Sequence, residues 1–156
     1  MILLKKVRLV NWYGFANTTA PIGFFTLIAG QNGNGKSVML DAIKYAAYGD
    51  TVFNKSSDVK GGGNGERRTL SSYTRGLLNA DAGTYMRPAD QVPNVYSHIV
   101  LEYFDQVEDK SFLLGTVIET NPANNCQTYR YVLDRTTLDG VEHVYQEGGA
   151  VMPYSA

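Results

Sequence analysis

"FFTLIAGQNGNGKSVMLDAIKYAAYG", residues 24–49, is the stretch whose reading decides the fold. Its centre, Gly30 to Ser37, has the spacing G-x-x-x-x-G-K-S of a P-loop, a pattern that means something only between a strand and a helix. Both flanks fit. Phe24 to Ala29 is an unbroken apolar run with no alternation, which predicts a strand covered on both faces. After the loop, Met39, Leu40, Ile43, Ala46 and Ala47 draw one apolar helical stripe, and Gly49 is the expected stop. Asp41 lies opposite Ile43 and is expected to be a solvated or capping carboxylate.

Such a loop has a definite chemistry. Successive backbone N–H groups, here those of Asn32 to Val38 (Gly33, Asn34, Gly35, Lys36 and Ser37 between them), point inward at phosphate oxygens, helped by the positive end of the following helix. Gly30 and Gln31 open the turn. Lys36 is placed to neutralise β- and γ-phosphate charge and the Ser37 hydroxyl to ligate Mg²⁺. Gly33 and Gly35 leave room for phosphate and tolerate positive φ.

Outward from the loop, the pattern on the N-terminal side is "LLKKVRLV". It puts Leu4, Lys6, Arg8 and Val10 on one side of a strand and Leu3, Lys5, Val7 and Leu9 on the other. "NWYGF" turns the chain at Gly14, and "TTAPI" returns it toward the core. On the C-terminal side, residues 50–93 are rich in Gly, Ser, Asn and Asp, with a short helix expected around Leu70 to Leu78; an irregular stretch of that length is usually functional or mobile. "SHIVLEYF", "SFLLGTVIET" and "QTYRYVLD" then form an antiparallel meander, and "VEHVYQ" adds a further strand pattern.

Composition narrows the class. The chain has 156 residues, enough for one domain with a core, and its formal net charge of -1 gives no global pull toward nucleic acid or membrane. Cys126 is alone, so there is no internal disulfide; a reducing, cytoplasmic setting and a half-buried hydrophobic role are expected for it. No apolar run reaches the ~18 residues of a membrane span, and no membrane partner is expected. His98 and His143 have no Cys, Asp or second His at ligand spacing.

The finer string G-x-N-G-x-G-K-S followed by L-D-A-I, with "LVNWYGF" before it and "RRTLSSYTRG" after the first helix, resembles the N-terminal head segment of ABC-type ATPases of the SMC and Rad50 class. With "GTYMRP" and "SHIVLEYFD" it is most similar to the SMC-like JetC subunits of Wadjet, MksB and MukB-type condensin-like complexes, over residues 1 to about 120. The resemblance implies an α/β P-loop NTPase fold with a β-meander: the N-terminal half of a head, with P-loop 30–37, a basic loop about 50–93 and a meander about 95–146. It implies ATP and Mg²⁺ as cofactors, ATPase activity requiring the C-terminal half of the head, and a second head as homodimer partner. Kleisin and accessory subunits, double-stranded DNA and a role in plasmid defence complete the implied setting. The family's signature L-S-G-G, its Walker B carboxylates and its coiled coil are not in this sequence, and "LSSYTRG" resembles a signature only superficially. The sequence accordingly supplies no catalytic residue, and the chain by itself is expected to bind nucleotide weakly and hydrolyse little.

Three further assignments remain open at this level. Arg67, Arg68 and Arg75 lie in a locally basic stretch and either neutralise DNA phosphates, sense nucleotide phosphate (Arg68, or Arg67 beside it) or face solvent unliganded. Gln146 is either a Mg²⁺-sensing glutamine or an ordinary strand-end residue, and Trp12 and Tyr13 either approach an adenine base or pack in the core. A single-chain kinase or GTPase, a RecF- or Rad50-type repair ATPase and a DNA-binding module with a vestigial P-loop are the rivals. The first lacks an N-K-x-D base-reading motif and an arginine-rich lid.

Overall fold

A computed structural model describes residues 1–30, 35–54, 68–79, 82–141, 146–147 and 150–154, those of 146–147 as backbone only. Its centre is a five-stranded antiparallel sheet in the order β2-β1-β5-β6-β7, built from β1 (Ile2–Trp12), β2 (Phe15–Pro21), β5 (Val95–Asp105), β6 (Lys110–Thr120) and β7 (Cys126–Asp134). The shorter strands β3 (Leu77–Asn79) with β4 (Thr84–Tyr85), and β8 (Gln146–Glu147) with β9 (Ala150–Val151), form separate two-stranded ribbons. The architecture is mixed α/β with a mainly antiparallel sheet. The three meander segments emerge as β5, β6 and β7, joined by short turns, and β1 inserts beside β5 in antiparallel register, Val7 opposite Leu101.

Both faces of the sheet are covered. On one, α1 (Lys36–Tyr48) and α2 (Leu70–Arg75) pack over Val7, Leu9, Ile99, Leu101 and Ile118. On the other, Val10, Val100 and Leu113 meet Leu138 and Val141. The short 3₁₀ turn Leu138–Gly140 is fixed there by the buried Glu102, which accepts the Leu138 N–H at 2.8 Å. Coverage on both sides explains why β5 is buried almost continuously from Val95 to Glu102 despite its antiparallel partners.

Strict alternation along β1 fails at two points. A register shift between Leu4 and Lys6 brings Leu4 to the helix-side cluster with Val7 and Leu9, not to the side of Val10 as alternation predicts. Past Val10, Asn11 adopts φ 50°, and Trp12 joins the helix-side core although Val10, two residues earlier, faces the other cluster. Asn11 is tied down across the strand pair by Nδ2 to the Tyr96 carbonyl at 3.0 Å and by the Ser97 hydroxyl donating to its own carbonyl at 2.7 Å.

The helix after the loop forms as expected and stops where expected: Gly49, at φ 73°, donates its N–H to the Tyr45 carbonyl. Its orientation differs from the apolar stripe. Val38, Asp41, Ala42, Tyr45 and Ala46 are buried against the sheet, while Leu40 is exposed and Met39, Ile43 and Ala47 are half-buried at the margin. The expected short helix is α2, but it ends at Arg75, and Leu77 and Leu78 belong to β3; its start is fixed by a capping box in which Thr69 and Ser72 bond each other's backbone N–H. Gly76 ends it at φ 68°, and a Cβ there would sit 2.9 Å from the Met86 sulfur.

The largest departure from the sequence expectation is Phe24 to Ala29. It is not a strand and it is not buried: Phe24, Phe25 and Leu27 are 72%, 91% and 89% exposed. A strand covered on both faces needs neighbours to supply its ladder, and none of the described strands pairs with this segment. The P-loop therefore leaves from an apolar segment outside the sheet, and the helix it leads into lies on one face of an antiparallel sheet.

Candidate nucleotide-binding site

Gly35, Lys36, Ser37 and Val38 form the described part of the loop's helical end; Gln31, Asn32, Gly33 and Asn34 lie outside the described residues. Gly35 is the N-cap of α1 at φ 85°, and a Cβ on it would stand 3.0 Å from the Phe15 ring. Both facts call for glycine at this position. Gly35 offers no side chain to cap the α1 N-terminus, and the first turn contains no acidic residue. The first-turn N–H groups and the positive end of the helix dipole face the loop, and the first turn has no acidic side chain to offset that charge. Ser37 is exposed at the same end. Lys36 donates to the Gly30 carbonyl at 2.5 Å, spanning the loop from its last residues back to its first. An ammonium in that place and an exposed hydroxyl beside it suit a magnesium-bound phosphate chain, and among the described residues no acidic side chain of the first turn opposes it.

Directly beneath this turn is an aromatic cluster. Trp12 is fully buried, its indole N–H donates to the Val38 carbonyl at 2.9 Å, and its ring stacks on Tyr73 with centroids 4.5 Å apart. Phe53 meets both rings edge-on. Trp12 is therefore core and does not approach an adenine base. Tyr13 is half-buried in the turn between β1 and β2, its N–H bonded to the Tyr73 carbonyl at 2.7 Å.

Asp41 is the site residue most misjudged from sequence. It is fully buried, and among the described residues its carboxylate accepts three hydrogen bonds: Asn54 gives its side-chain amide at 2.8 Å and its backbone N–H at 2.9 Å, and the Tyr73 hydroxyl donates at 2.5 Å. Burial, together with the Asp41 carboxylate, pushes the Tyr73 hydroxyl well above the ordinary phenol range, so it remains a donor. No local pattern in the sequence points to this, because both partners, Asn54 and Tyr73, come from beyond the helix.

The three arginines do not act alike. Arg75 is 1% exposed, and all five of its N–H groups are used: Nε on the Asn124 side-chain oxygen, Nη1 on the Arg87 and Val92 carbonyls, Nη2 on the Pro93 and Asn121 carbonyls, at 2.6–3.0 Å. It is a structural hub and has no donor left for DNA or nucleotide, which corrects its assignment as a phosphate-binding residue. Arg68 is half-buried, its guanidinium 5.0 Å from the Tyr13 ring centroid and 5.4 Å from that of Tyr73, with Nη1 3.4 Å from the Tyr73 hydroxyl. Arg67 lies outside the described residues.

The remaining candidates are quickly placed. Gln146 belongs to β8 opposite Val151, and its side chain lies outside the described residues. His98 is buried in β5 with Nε2 2.6 Å from the Met152 carbonyl; burial lowers its pKa to about 4, against a smaller opposing effect of that hydrogen bond. Cys126 is half-buried and burial raises its pKa, as a small hydrophobic role requires. His143 is outside the described residues, among which no cluster of His, Cys, Asp or Glu is arranged to hold a metal. Among them, too, no helix is long and apolar enough to cross a membrane.

Comparison with known proteins agrees with the loop. Residues 4–60 match the family model described as the P-loop containing region of AAA domain. The N-terminal third of the chain is similar to P-loop ATPases. The chain matches no curated protein sequence. One solved structure, from work described as "Structural biochemistry of ATP-driven dimerization and DNA stimulated activation of SMC ATPases", is similar over 94% of this chain and 87% of its own, with 18% identity and a TM-score of 0.46.

Proposed function

We propose that the chain binds Mg·ATP at Gly30 to Ser37 and is the N-terminal half of an SMC-like ATPase head. The observation that carries the nucleotide site is the acid-free N-terminus of α1 behind a glycine N-cap, with Lys36 reaching across the loop to Gly30. Backbone N–H groups up to Val38 hold phosphate oxygens, Lys36 offsets β- and γ-phosphate charge, and Ser37 ligates Mg²⁺, with Gln146 as a more distant candidate for the ion.

The half-head assignment draws support from what the fold leaves uncovered. Phe24, Phe25 and Leu27 lead straight into the loop and are exposed, and Leu40 is exposed on α1. A C-terminal half would pair and cover that apolar segment, and would bring the carboxylate that a hydrolytic water requires. Two such heads would then enclose ATP, and their engagement and release would move double-stranded DNA. Arg68 is the described arginine that could turn to phosphate there; Arg67 lies outside the described residues, and Arg75 has no donor left. Kleisin and accessory subunits, a cytoplasmic setting and a Wadjet-type role in plasmid defence follow from the sequence resemblance.

The test is reconstitution with the C-terminal head segment of an SMC-like protein whose sequence adjoins this one. Light scattering should show heads doubling in mass with ATP, and turnover appearing only in the mixture. Robust hydrolysis by the 156-residue chain alone would favour a self-contained kinase- or GTPase-like protein instead.

A further inference from the structure

We propose that Tyr73 is a positioning residue that ties the guanidinium of Arg68 to the phosphate-binding end of α1, so that nucleotide occupancy and the placement of Arg68 are energetically coupled. The inference rests on the phosphate-site assignment and adds to it a residue remote in sequence from the loop. Tyr73 is fully buried, and its hydroxyl lies between the Asp41 carboxylate at 2.5 Å and Arg68 Nη1 at 3.4 Å. Its ring stacks on Trp12, and the Trp12 indole is bonded to the carbonyl of Val38, the residue whose own N–H closes the phosphate cradle.

Two routes thus run from the first turns of α1 to one phenol. The first passes from Val38 through the indole to the Tyr73 ring, and the second from Asp41, one turn below Ser37, to the Tyr73 hydroxyl. Both end at Arg68, which is held by the Tyr73 and Tyr13 rings and by that hydroxyl. A further clamp fixes the frame: the Tyr13 N–H is bonded to the Tyr73 carbonyl, and Arg87 Nη2 reaches the Tyr13 carbonyl at 2.8 Å. Through these hydrogen bonds and ring contacts, a shift of the first helical turn on phosphate binding reaches Arg68. By linkage, the part of Arg68's contribution to nucleotide affinity that depends on the Tyr73 hydroxyl is lost when that hydroxyl is removed.

Tyr73→Phe keeps the ring and its stacking on Trp12 and removes only the hydroxyl. Calorimetric titration with Mg·ATP on the wild-type chain, Tyr73→Phe, Arg68→Ala and the double variant forms a cycle, with Lys36→Ala as the control for the phosphate site. Each single change should weaken ATP about fivefold, the low end of ordinary coupling, and the double variant should be no weaker than about fivefold, because both remove one interaction. Trp12 is the chain's one tryptophan, so its emission should shift on ATP addition in the wild type and shift by less than half as much in Tyr73→Phe. A purely structural Tyr73 would lower the melting temperature and leave both readouts at wild-type values. Unchanged affinity in Tyr73→Phe, or a double variant weakened by about twenty-five-fold, would overturn the coupling while the phosphate site stood. Absence of ATP binding by the wild type, or equal binding by Lys36→Ala, would overturn the phosphate site and the coupling together.

Discussion

Replacing Arg75 by Ala should destabilise the fold severely, because a basic residue in a basic stretch has here become an internal strut. Its guanidinium joins the C-terminus of α2 to residues 87–93 and to the turn at Asn121–Asn124, through five hydrogen bonds and with no carboxylate among the partners. Bonds to a charged donor are worth about 1.5–3 kcal/mol each. They are not additive, and the Asn121 and Asn124 positions are exposed, so part of the loss is recovered by water. A net loss of about 3–5 kcal/mol is expected, comparable to breaking a buried ionic contact, against a total stability of about 5–15 kcal/mol. Arg75→Lys, with three donors in place of a five-donor fork, should lose about half as much. Urea unfolding followed by circular dichroism gives the readout: with a slope of about 2 kcal/mol/M, the Ala variant's midpoint falls by about 2 M. A midpoint within about 0.3 M of wild type would refute the hub and return Arg75 to the surface.

Gly115 in β6 has Tyr131 of β7 lying over it, 2.0 Å from where a Cβ would stand, so Gly115→Ala should cost about 1–3 kcal/mol by overpacking. The same change in a Tyr131→Ala background should cost much less, and thermal melts of the four proteins check this. His98 makes stability depend on pH in a calculable way. Its folded pKa of about 4 lies below the ordinary value of 6.5, so the unfolded chain takes up the proton first and stability falls as pH drops from 6.5 toward 4. That shift predicts a loss of about 2 kcal/mol between pH 7 and pH 5. His98→Gln, which cannot charge but still donates to the Met152 carbonyl, should flatten that slope; an unchanged slope would mean that His98 is already charged in the fold.

Much of this fold could be read in the sequence because the relevant forces are local. The glycine spacing, the helix after it, its stop at Gly49 and the three meander strands each follow from periodicity or turn chemistry within a dozen residues, and each is present. The failures share a cause of the opposite kind. Phe24 to Ala29 has the composition of a buried strand, but burial is a property of neighbours, and no described strand pairs with it. Asp41 looks like a surface carboxylate until Asn54 and Tyr73, 13 and 32 positions away, supply its donors. Arg75 looks like a solvent-facing cation until five oxygens from 12 to 49 positions away close around it. In the helix, the most apolar stripe is not the one against this sheet: Asp41 is buried while Leu40 beside it is exposed. Periodicity identified the helix and could not rank its faces.

The central claim is that Gly30 to Ser37 holds a nucleotide's phosphates, and Mg·ATP titration of the wild-type chain against Lys36→Ala tests it most directly. Lys36 donates to the Gly30 carbonyl at 2.5 Å, and on nucleotide binding it should transfer that bond to phosphate oxygens. Removing one charge-assisted contact worth about 1.5–3 kcal/mol should weaken ATP by about 10- to 150-fold. The melting temperature should stay close to wild type, because Lys36 lies outside both core clusters. Equal affinity in the two proteins would contradict the assignment, and the loop would then be a glycine-rich turn that binds no phosphate.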